Sequence, residues 1–503
     1  MTPNCWNTSV TGPKKFFPRY ERVFLSIEPP VPANKPIRLK VKGLVQKIWC
    51  NGVLLKKQGN GYPIPPNVQK PWENEFLIRG IPVSVWLEGD EESKACHKTT
   101  GSMVQDPLVA AGHALVSFVV NQGPGRGDIF SFYDPVSHTY RMPEWRWDSG
   151  ICLEALAKLA QFTSDEIYKI AVNTVVDRLL KVQIDDPDCK GGFPEIADLH
   201  MAPRAATVLP QWVVPFNGAF IGAGLLSAMD VVDKPKRELC INAAQGAYNL
   251  MVSKAMNPAG FLRGYYHLKP GLWQYHGQIN DSGIFPRLAS LLRKTGCEID
   301  TKPMELYTGA MASFIQPDGF VGRGRWLPGK QNCLQGTPLF PEWKTRPDQV
   351  PGKIFSRGQA WFLLGAAGTW QLTRSIAVEQ TIRHVMEYLL SHQDRTGFWQ
   401  HDLGQPEMGL DVKGTAVVVW ALLEARPAFE EAHGDIQRLD LGLLRAWDAL
   451  LLNQKDNLSG PLPGGLRDTG KEGAIIYFRN RPMYTAYGLA AFILSGLAME
   501  KGL

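Results

Sequence analysis

The chain of 503 residues is short of several things, and each shortage excludes a class. It has no run of five or six basic residues. Its formal net charge of +6, from 54 Lys and Arg against 48 Asp and Glu, is small for the length, so nucleic acid is not an expected partner. Its eight cysteines, Cys5, Cys50, Cys96, Cys152, Cys189, Cys240, Cys297 and Cys333, are evenly spread with no C-x-x-C pair. This argues against a zinc site or a disulfide framework and for free thiols in a reducing compartment. No two histidines have H-x-x-x-H spacing, so no catalytic metal and no cofactor are expected. The start, MTPNCWNTSVTGPKK, has no apolar core of a signal peptide, and the expected location is cytoplasmic. The uncharged stretches Val213–Met229 and Met483–Met499 are rich in small residues, and the first carries Pro215 and Asn217. Buried helices explain them better than membrane spans.

What is present is 44% hydrophobic residues, 15 Trp, 49 Gly and 37 Pro. The length predicts two to four domains at roughly 150 residues each. Area scaling leaves about 18,000 Å² exposed out of about 81,000 Å² for the extended chain, so a large core needs no staples.

Two grammars divide the chain. Residues 1–140 read as β, a sandwich-like domain. Ile37, Leu39 and Val41 alternate with polar residues, and Asn51-Gly52 between IWC and VLLKK is a hairpin signal. IPVSVWLEG, HALVSFVV and DIFSFYD are further strand candidates. Residues 141–503 read as long helices. Six apolar segments open on a small or polar cluster around Gly150, Gly218, Gly283, Gly358, Gly414 and Gly488, at spacings of 68, 65, 75, 56 and 74 residues. Between them lie amphipathic segments that end in Gln or Asn, a short turn, and Gly-aromatic: Gln183 to Gly192-Phe193, Asn257 to Gly260-Phe261, Gln316 to Gly319-Phe320, and Gln393 to Gly397-Phe398-Trp399. Asn453-Gln454 to Gly460 is a degenerate fifth copy. This is an internal repeat of helical hairpins. Six of them close into an (α/α)6 barrel, with the apolar helices inside because a helix apolar all round must be buried. The fold class is therefore mainly α with an N-terminal β-sandwich-like domain.

The barrel brings six inner-helix starts to one end, where free N–H groups and helix dipoles favour an anionic ligand. The residues opening those helices are the candidate site: Trp147 and Asp148, Asn217, Asn280 and Asp281, Arg357 and Gln359, Lys413 and Thr415, and Tyr484 with Tyr487. His276, five residues before Asp281, joins them, and Arg323, Arg325 and Trp326 are candidates for the rim. Aromatic rings with carboxylates and cations suit a sugar.

At Ser356-Arg-Gly-Gln-Ala-Trp361 the chain resembles the unsaturated glucuronyl hydrolases and unsaturated rhamnogalacturonyl hydrolases, which carry R-G-Q-A-W or R-G-N-G-W at an inner-helix start. INDSGIFPRLASLL, with Asp281, looks like their third inner helix, and Trp399 followed by KGTAVVVWALLEA looks like their G-x-W and S-G-T-A-M segments. The resemblance covers roughly residues 145–500. It implies an (α/α)6 barrel that removes a 4,5-unsaturated uronic acid from the non-reducing end of a small acidic oligosaccharide. It implies Asp281 as general acid/base, with Arg357 and Trp361 holding the uronate by charge pairing and stacking. The families place a second aspartate where this chain has Asn217, and Asp148 is the candidate substitute. Their usual single-domain pattern does not include the β-like N-terminal region.

Two alternative activities stay open, an exo-glucuronidase on saturated uronic acid and a sugar epimerase on the same barrel. The first needs two carboxyls about 6.5–9.5 Å apart if it inverts, and Asp148 with Asp281 are the pair for it. The second needs paired histidines at inner-helix ends, where His200, His267, His276, His384, His392 and His401 do not fall. A non-catalytic carbohydrate-binding protein is a third reading, and association into a homo-oligomer is left undecided.

Overall fold

A computed structural model describes residues 20–27, 38–50, 53–65, 72–88, 106–123, 125–135, 138–141, 147–194, 212–258, 260–263, 265–268, 272–274, 278–279, 283–313, 315, 319, 321, 324–325, 356–401, 403, 409–456, 461–467 and 483–502. The chain separates into two compact units, Met1–Asp106 with Phe162–Ser164, and Pro107–Gln161 with Asp165–Leu503.

The first unit is an antiparallel sheet of β1 (Tyr20–Ile27), β2 (Arg38–Cys50), β3 (Val53–Leu55), β4 (Tyr62–Pro63) and β5 (Trp72–Glu88), in the order β1-β5-β2-β3 with β4 also on β2. Cys50 pairs with Val53, as a hairpin requires, while Asn51-Gly52 themselves lie outside the described residues. IPVSVWLE is the end of β5. A second sheet facing this one is not among the described residues. HALV, expected as a strand, is instead the end of helix α1 (Pro107–Val116). Proline at the first helical position and three alanines in ten residues favour the helix. Of the remaining SFVV, Val119 makes only an isolated bridge to Ile129.

Among the described residues, the second unit holds α1 and eleven further helices: α2 (Trp147–Thr163), α3 (Glu166–Val182), α4 (Asn217–Ala228), α5 (Lys234–Leu250), α6 (Phe285–Lys294), α7 (Lys302–Ala312), α8 (Ser356–Thr373), α9 (Ile376–Ser391), α10 (Val412–Glu431), α11 (Ile436–Asp456) and α12 (Ala486–Gly502). The six glycine-opened segments are α2, α4, α6, α8, α10 and α12. These are buried on nearly every side; in α8 every residue from Gly358 to Trp370 is buried. Close packing needs the glycines. A Cβ on Gly150 would strike the backbone of Phe220, and one on Gly283 that of Phe362.

The outer ring is α3, α5, α7, α9, α11 and α1. Its turns show how the barrel closes. Gly127, Gly191, Gly260, Gly319, Gly397 and Gly464 all have positive φ, between +78° and +102°. Each lies directly on a backbone carbonyl of the next outer helix, at Thr174, Gly246, Leu306, His384, Arg445 and Ala110 respectively. No residue with a Cβ fits there, and left-handed backbone favours glycine in any case. The repeated Gln at the outer-helix ends is a clamp on the same turn. Gln183 Nε2 donates to Gly191 O and Ala243 O at 3.0 and 2.8 Å, and Gln393 Nε2 to Gly397 O and Gly442 O at 2.9 and 2.8 Å. Gln454 Nε2 donates to Gly464 O and to Pro107 O at 2.9 and 2.8 Å. The last clamp therefore reaches back to α1, and the fifth-copy glycine is Gly464 rather than Gly460.

This closure corrects two expectations. The sixth hairpin is split: α12 takes α1, from the far end of the sequence, as its outer partner. The helical unit accordingly begins at Pro107 and not at residue 141, because α1 and the strand pair Phe132–Asp134 and Thr139–Arg141 pack with it. Phe132–Asp134 also pairs with Tyr484–Thr485 just before α12.

Candidate active site

Ring contacts bring the starts of α2, α4, α8 and α12 together at one end of the barrel. Trp147, half-buried at the start of α2, meets Tyr487 at 5.0 Å, Phe220 at 5.3 Å and Trp361 at 6.1 Å between ring centroids. Trp361 is 2% exposed. It stands edge-on to Phe220 at 5.0 Å and to Trp420 at 6.4 Å. Trp361 thus forms the buried floor of this ring cluster, and Trp147 is the ring nearer solvent. Asp148 is 2% exposed in the first turn of α2. Burial, and the Asp148 charge one turn away, push the Cys152 thiol well up. Asn217 is fully buried at the start of α4.

Two expected substrate contacts are turned to other work. Gln359 is fully buried and clamps one backbone unit, its Oε1 accepting from Val321 N at 2.6 Å and its Nε2 donating to Val321 O at 2.7 Å. It holds the Val321 backbone against α8. Tyr484 is fully buried in a strand pair, its ring 6.0 Å from Tyr133, and burial raises its phenol. Tyr487, one helical turn on, is the tyrosine that reaches Trp147. Asp281, Asn280, His276, Arg323 and Trp326 lie outside the described residues. On either side of them, Gln278–Ile279 pairs with Gly324–Arg325, and the third inner helix is entered through a tight turn at Gly283–Ile284.

A polar group gathers where α8 and α10 start. Arg357, half-buried in the first turn of α8, has Nη1 3.3 Å from His401 Nε2. His401 is 3% exposed. Its carbonyl accepts from Ser356 N at 3.2 Å, capping α8, and its N–H donates to Gly409 O at 3.0 Å. Asp411 caps α10, Oδ1 accepting from Gly414 N at 2.8 Å, with buried Lys413 Nζ 3.8 Å from the same oxygen. Asp411 and Ser356 flank Gly414 closely enough that a Cβ there would strike both side chains. His401 and Asp411 were missed as site residues. Asp411 had a signal, an aspartate three residues before a helix-opening glycine. His401 had none, because it is brought in by the bridge between Gln400 and Leu410.

Below the floor lies a buried ion pair. Arg287 of α6 donates from Nη1 and Nη2 to the two Glu154 carboxylate oxygens of α2 at 2.9 and 2.7 Å, and stacks over Trp420 at 4.7 Å. Lys158 Nζ adds a contact at 2.8 Å to Glu154 Oε1. Burial opposes ionisation of Glu154, but Arg287 and Lys158 outweigh it and hold the carboxyl down to about 2. The residues repeat: Asp148-Ser-Gly-Ile and Asp281-Ser-Gly-Ile open the first and third inner segments, and Glu154 and Arg287 each follow the glycine by four. Equivalent positions of the two repeats are thus tied to each other. Among the described residues, no three His, Cys, Asp or Glu side chains come together as a metal site, and no helix is long and apolar enough to cross a membrane.

No protein-family model matches the sequence, and no curated protein sequence does either. Solved structures do. An unsaturated glucuronyl hydrolase specific for heparin matches with a TM-score of 0.54 at 14% identity, over 78% of this chain and 96% of that one. Unsaturated glucuronyl hydrolase from Bacillus sp. GL1, responsible for degradation of glycosaminoglycan, matches at 0.54 and 15%, over 79% and 96%. A D-mannose isomerase matches at 0.56 and 12%, over 79% and 97%. The chain shares the (α/α)6-barrel fold of the glucuronyl hydrolases. A family 76 glycoside hydrolase from a bovine Bacteroides thetaiotaomicron strain matches over more of this chain, 96%, at 0.54 and 13%.

Proposed function

We propose that this barrel is a glycoside hydrolase that removes a uronic acid, 4,5-unsaturated, from the non-reducing end of a small acidic oligosaccharide. The observation that carries the reading is Arg357. A guanidinium stands in the first turn of an inner helix, at the end where the helix dipoles are positive, beside an aromatic floor. A planar fork suits a carboxylate, and the rings of Trp147 and Tyr487 suit a sugar face. In the reaction, an aspartic acid protonates C4 of the C4=C5 bond, water adds at C5, and the resulting hemiketal opens with loss of the aglycone. Asp281 is the proposed acid, and once deprotonated it takes the proton that the incoming water loses; Asp148 is the proposed second carboxylate. Such an acid needs a carboxyl raised towards neutrality by its surroundings.

The test is a substrate panel. Unsaturated uronyl disaccharides lose their ultraviolet band when consumed; a saturated aryl glucuronide that releases intact glucuronate would point to the ordinary exo-glucuronidase. Asp281→Asn is expected to abolish turnover and spare binding. Full activity in that variant would overturn the mechanism.

A sugar isomerase or epimerase is the second reading, and His401 favours it, since an imidazole does reach an inner-helix start beside Arg357. Turnover in heavy water separates the two. An isomerase places solvent deuterium at C1 or C2 and releases no second sugar, whereas the hydrolase places it at C4 and releases the aglycone.

A further inference from the structure

The chain enters the third inner helix through a short stretch whose two ends both rest on α8. One end is Gly283. A Cβ there would strike the Phe362 backbone, and one on Gly365 would strike the Gly283 carbonyl, so the two backbones touch. The other end is Ile279, whose strand partner is Gly324. Gly324 follows Val321 by three residues. Gln359 of α8 holds Val321 by both of its backbone groups, at 2.6 and 2.7 Å. Gln359 and Val321 are both fully buried. Just before Val321, Gly319 is seated on the His384 carbonyl of α9, and Val321 itself bridges to Ile315. Asn280, Asp281 and Ser282 join Ile279 to Gly283. So short a connection has few paths left once both ends are fixed.

We infer that Gln359 is a positioning residue: by clamping Val321 it fixes the strand pair that sets the entry to the third inner helix, and so the point from which the chain runs on to Asp281. It acts through Val321 and needs no contact with substrate. An amide suits the task. Val321 offers one N–H and one C=O, and Gln359 answers with an acceptor and a donor on one planar group. An apolar side chain of the same size would leave both backbone groups buried and unmet. An ionised carboxylate would accept from the N–H and repel the carbonyl. One helix, α8, then carries Arg357 in its first turn and, two residues on, the anchor for the strand leading to Asp281. A single rigid element sets both groups, which is how a site keeps its geometry. That Asp281 is the acid rests on the uronate reading above; the clamp on Val321 does not.

Hydrogen exchange of the full chain, followed by mass spectrometry, reads the link without any substrate. Gln359→Met keeps the volume and removes both bonds. Exchange is expected to quicken about tenfold or more over residues 278–284 as well as 319–326, and to stay at the parent rate in α5. Turnover of an unsaturated uronyl disaccharide reads the consequence. The expected fall in kcat is about 10- to 100-fold, the scale of a displacement of about 1 Å. KM should stay within about threefold, because Arg357 and Trp147 lie outside the clamp. Gln359→Glu separates positioning from misfolding. Its protonated carboxyl donates to Val321 O and accepts from Val321 N as the amide does, and its ionised form cannot. Measured against the parent at each pH, its kcat is expected to recover as pH falls from about 8 to about 5.5, and its exchange over 278–284 to slow in step. Exchange that quickens over 319–326 alone, parental kcat in Gln359→Met, a KM that rises as far as kcat falls, or no recovery of Gln359→Glu at low pH would each overturn the positioning role. A parent chain inactive on every unsaturated uronide, while residues 278–284 respond as expected, would instead overturn the uronate reading and leave the clamp standing.

Discussion

Arg287→Met tests the architecture beneath the site most directly. The substitution conserves volume but removes both guanidinium bonds to Glu154, at 2.9 and 2.7 Å, and the stack over Trp420. Glu154, with its side chain 2% exposed, keeps only Lys158 at 2.8 Å. Removing one partner of a buried ion pair costs about 3–5 kcal/mol, because a charge is left buried without its counter-charge. The lowering of the Glu154 carboxyl, set by Arg287 and Lys158 together against burial, is of the same order. A drop from 4.5 to about 2 is worth about 3 kcal/mol. At roughly 2 cal/mol/K of unfolding entropy per residue, a unit of about 390 residues loses about 4–6 °C of Tm for that destabilisation. Scanning calorimetry of the helical unit's transition measures it. The sign with pH follows from the depressed carboxyl. The pair's contribution is complete above about pH 4.5 and is lost as pH falls towards about 2, so the gap between parent and variant narrows over that window. Replacing both residues, Glu154→Met with Arg287→Met, removes the stranded charge and is expected to recover most of the loss. A single variant that melts within 1 °C of the parent (about 1 kcal/mol), or a double variant no better than the single, would refute the reasoning.

Three other outcomes are expected. Gln454→Ala removes two hydrogen bonds, to Pro107 O and Gly464 O, at a cost of roughly 1–3 kcal/mol; amide exchange should quicken in α1 well before α5 if that clamp closes the ring. Trp147→Ala should weaken saccharide binding about tenfold, seen as a raised KM, with melting lowered less than by Trp361→Ala because Trp147 is the more exposed ring. Among the described thiols, alkylation mapped by mass spectrometry should mark Cys297 first. Cys189 and Cys240 are buried, which pushes both up to about 12, and burial followed by the Asp148 charge pushes Cys152 well up.

Much of the fold was legible because it repeats. A helix apolar all round must be inside, and a glycine opens each one because neighbouring backbones touch there. Those are local requirements, written into the residues that meet them, so the number and order of inner helices could be counted from Gly150 to Gly488. The outer turns were legible for the same reason, as Gln followed by a glycine of positive φ. The failures share a different cause. HALV alternates weakly enough to read as a strand, and only the missing outer neighbour of α12 makes Pro107–Val116 a helix of the barrel.

The candidate site divides the same way. Asp148, Arg357 and Trp147 announced themselves by opening inner helices. Tyr484 and Tyr487 are three residues apart in one motif, and the strand pair with Phe132–Asp134 decides which of them is core and which meets Trp147. Gln359 reads as a ligand contact until Val321 is found on it. His401 has no local signal, since its place beside Arg357 comes from a loop bridge 44 residues away in sequence. The sequence by itself determined the repeat, the burial of the inner ring and the end where polar residues gather, because periodicity and backbone sterics act within a few residues. Closure of the ring through Gln454 and α1, the Glu154–Arg287 tie and the Arg357–His401 pair were decided only by tertiary structure, because each joins side chains that chain order keeps apart.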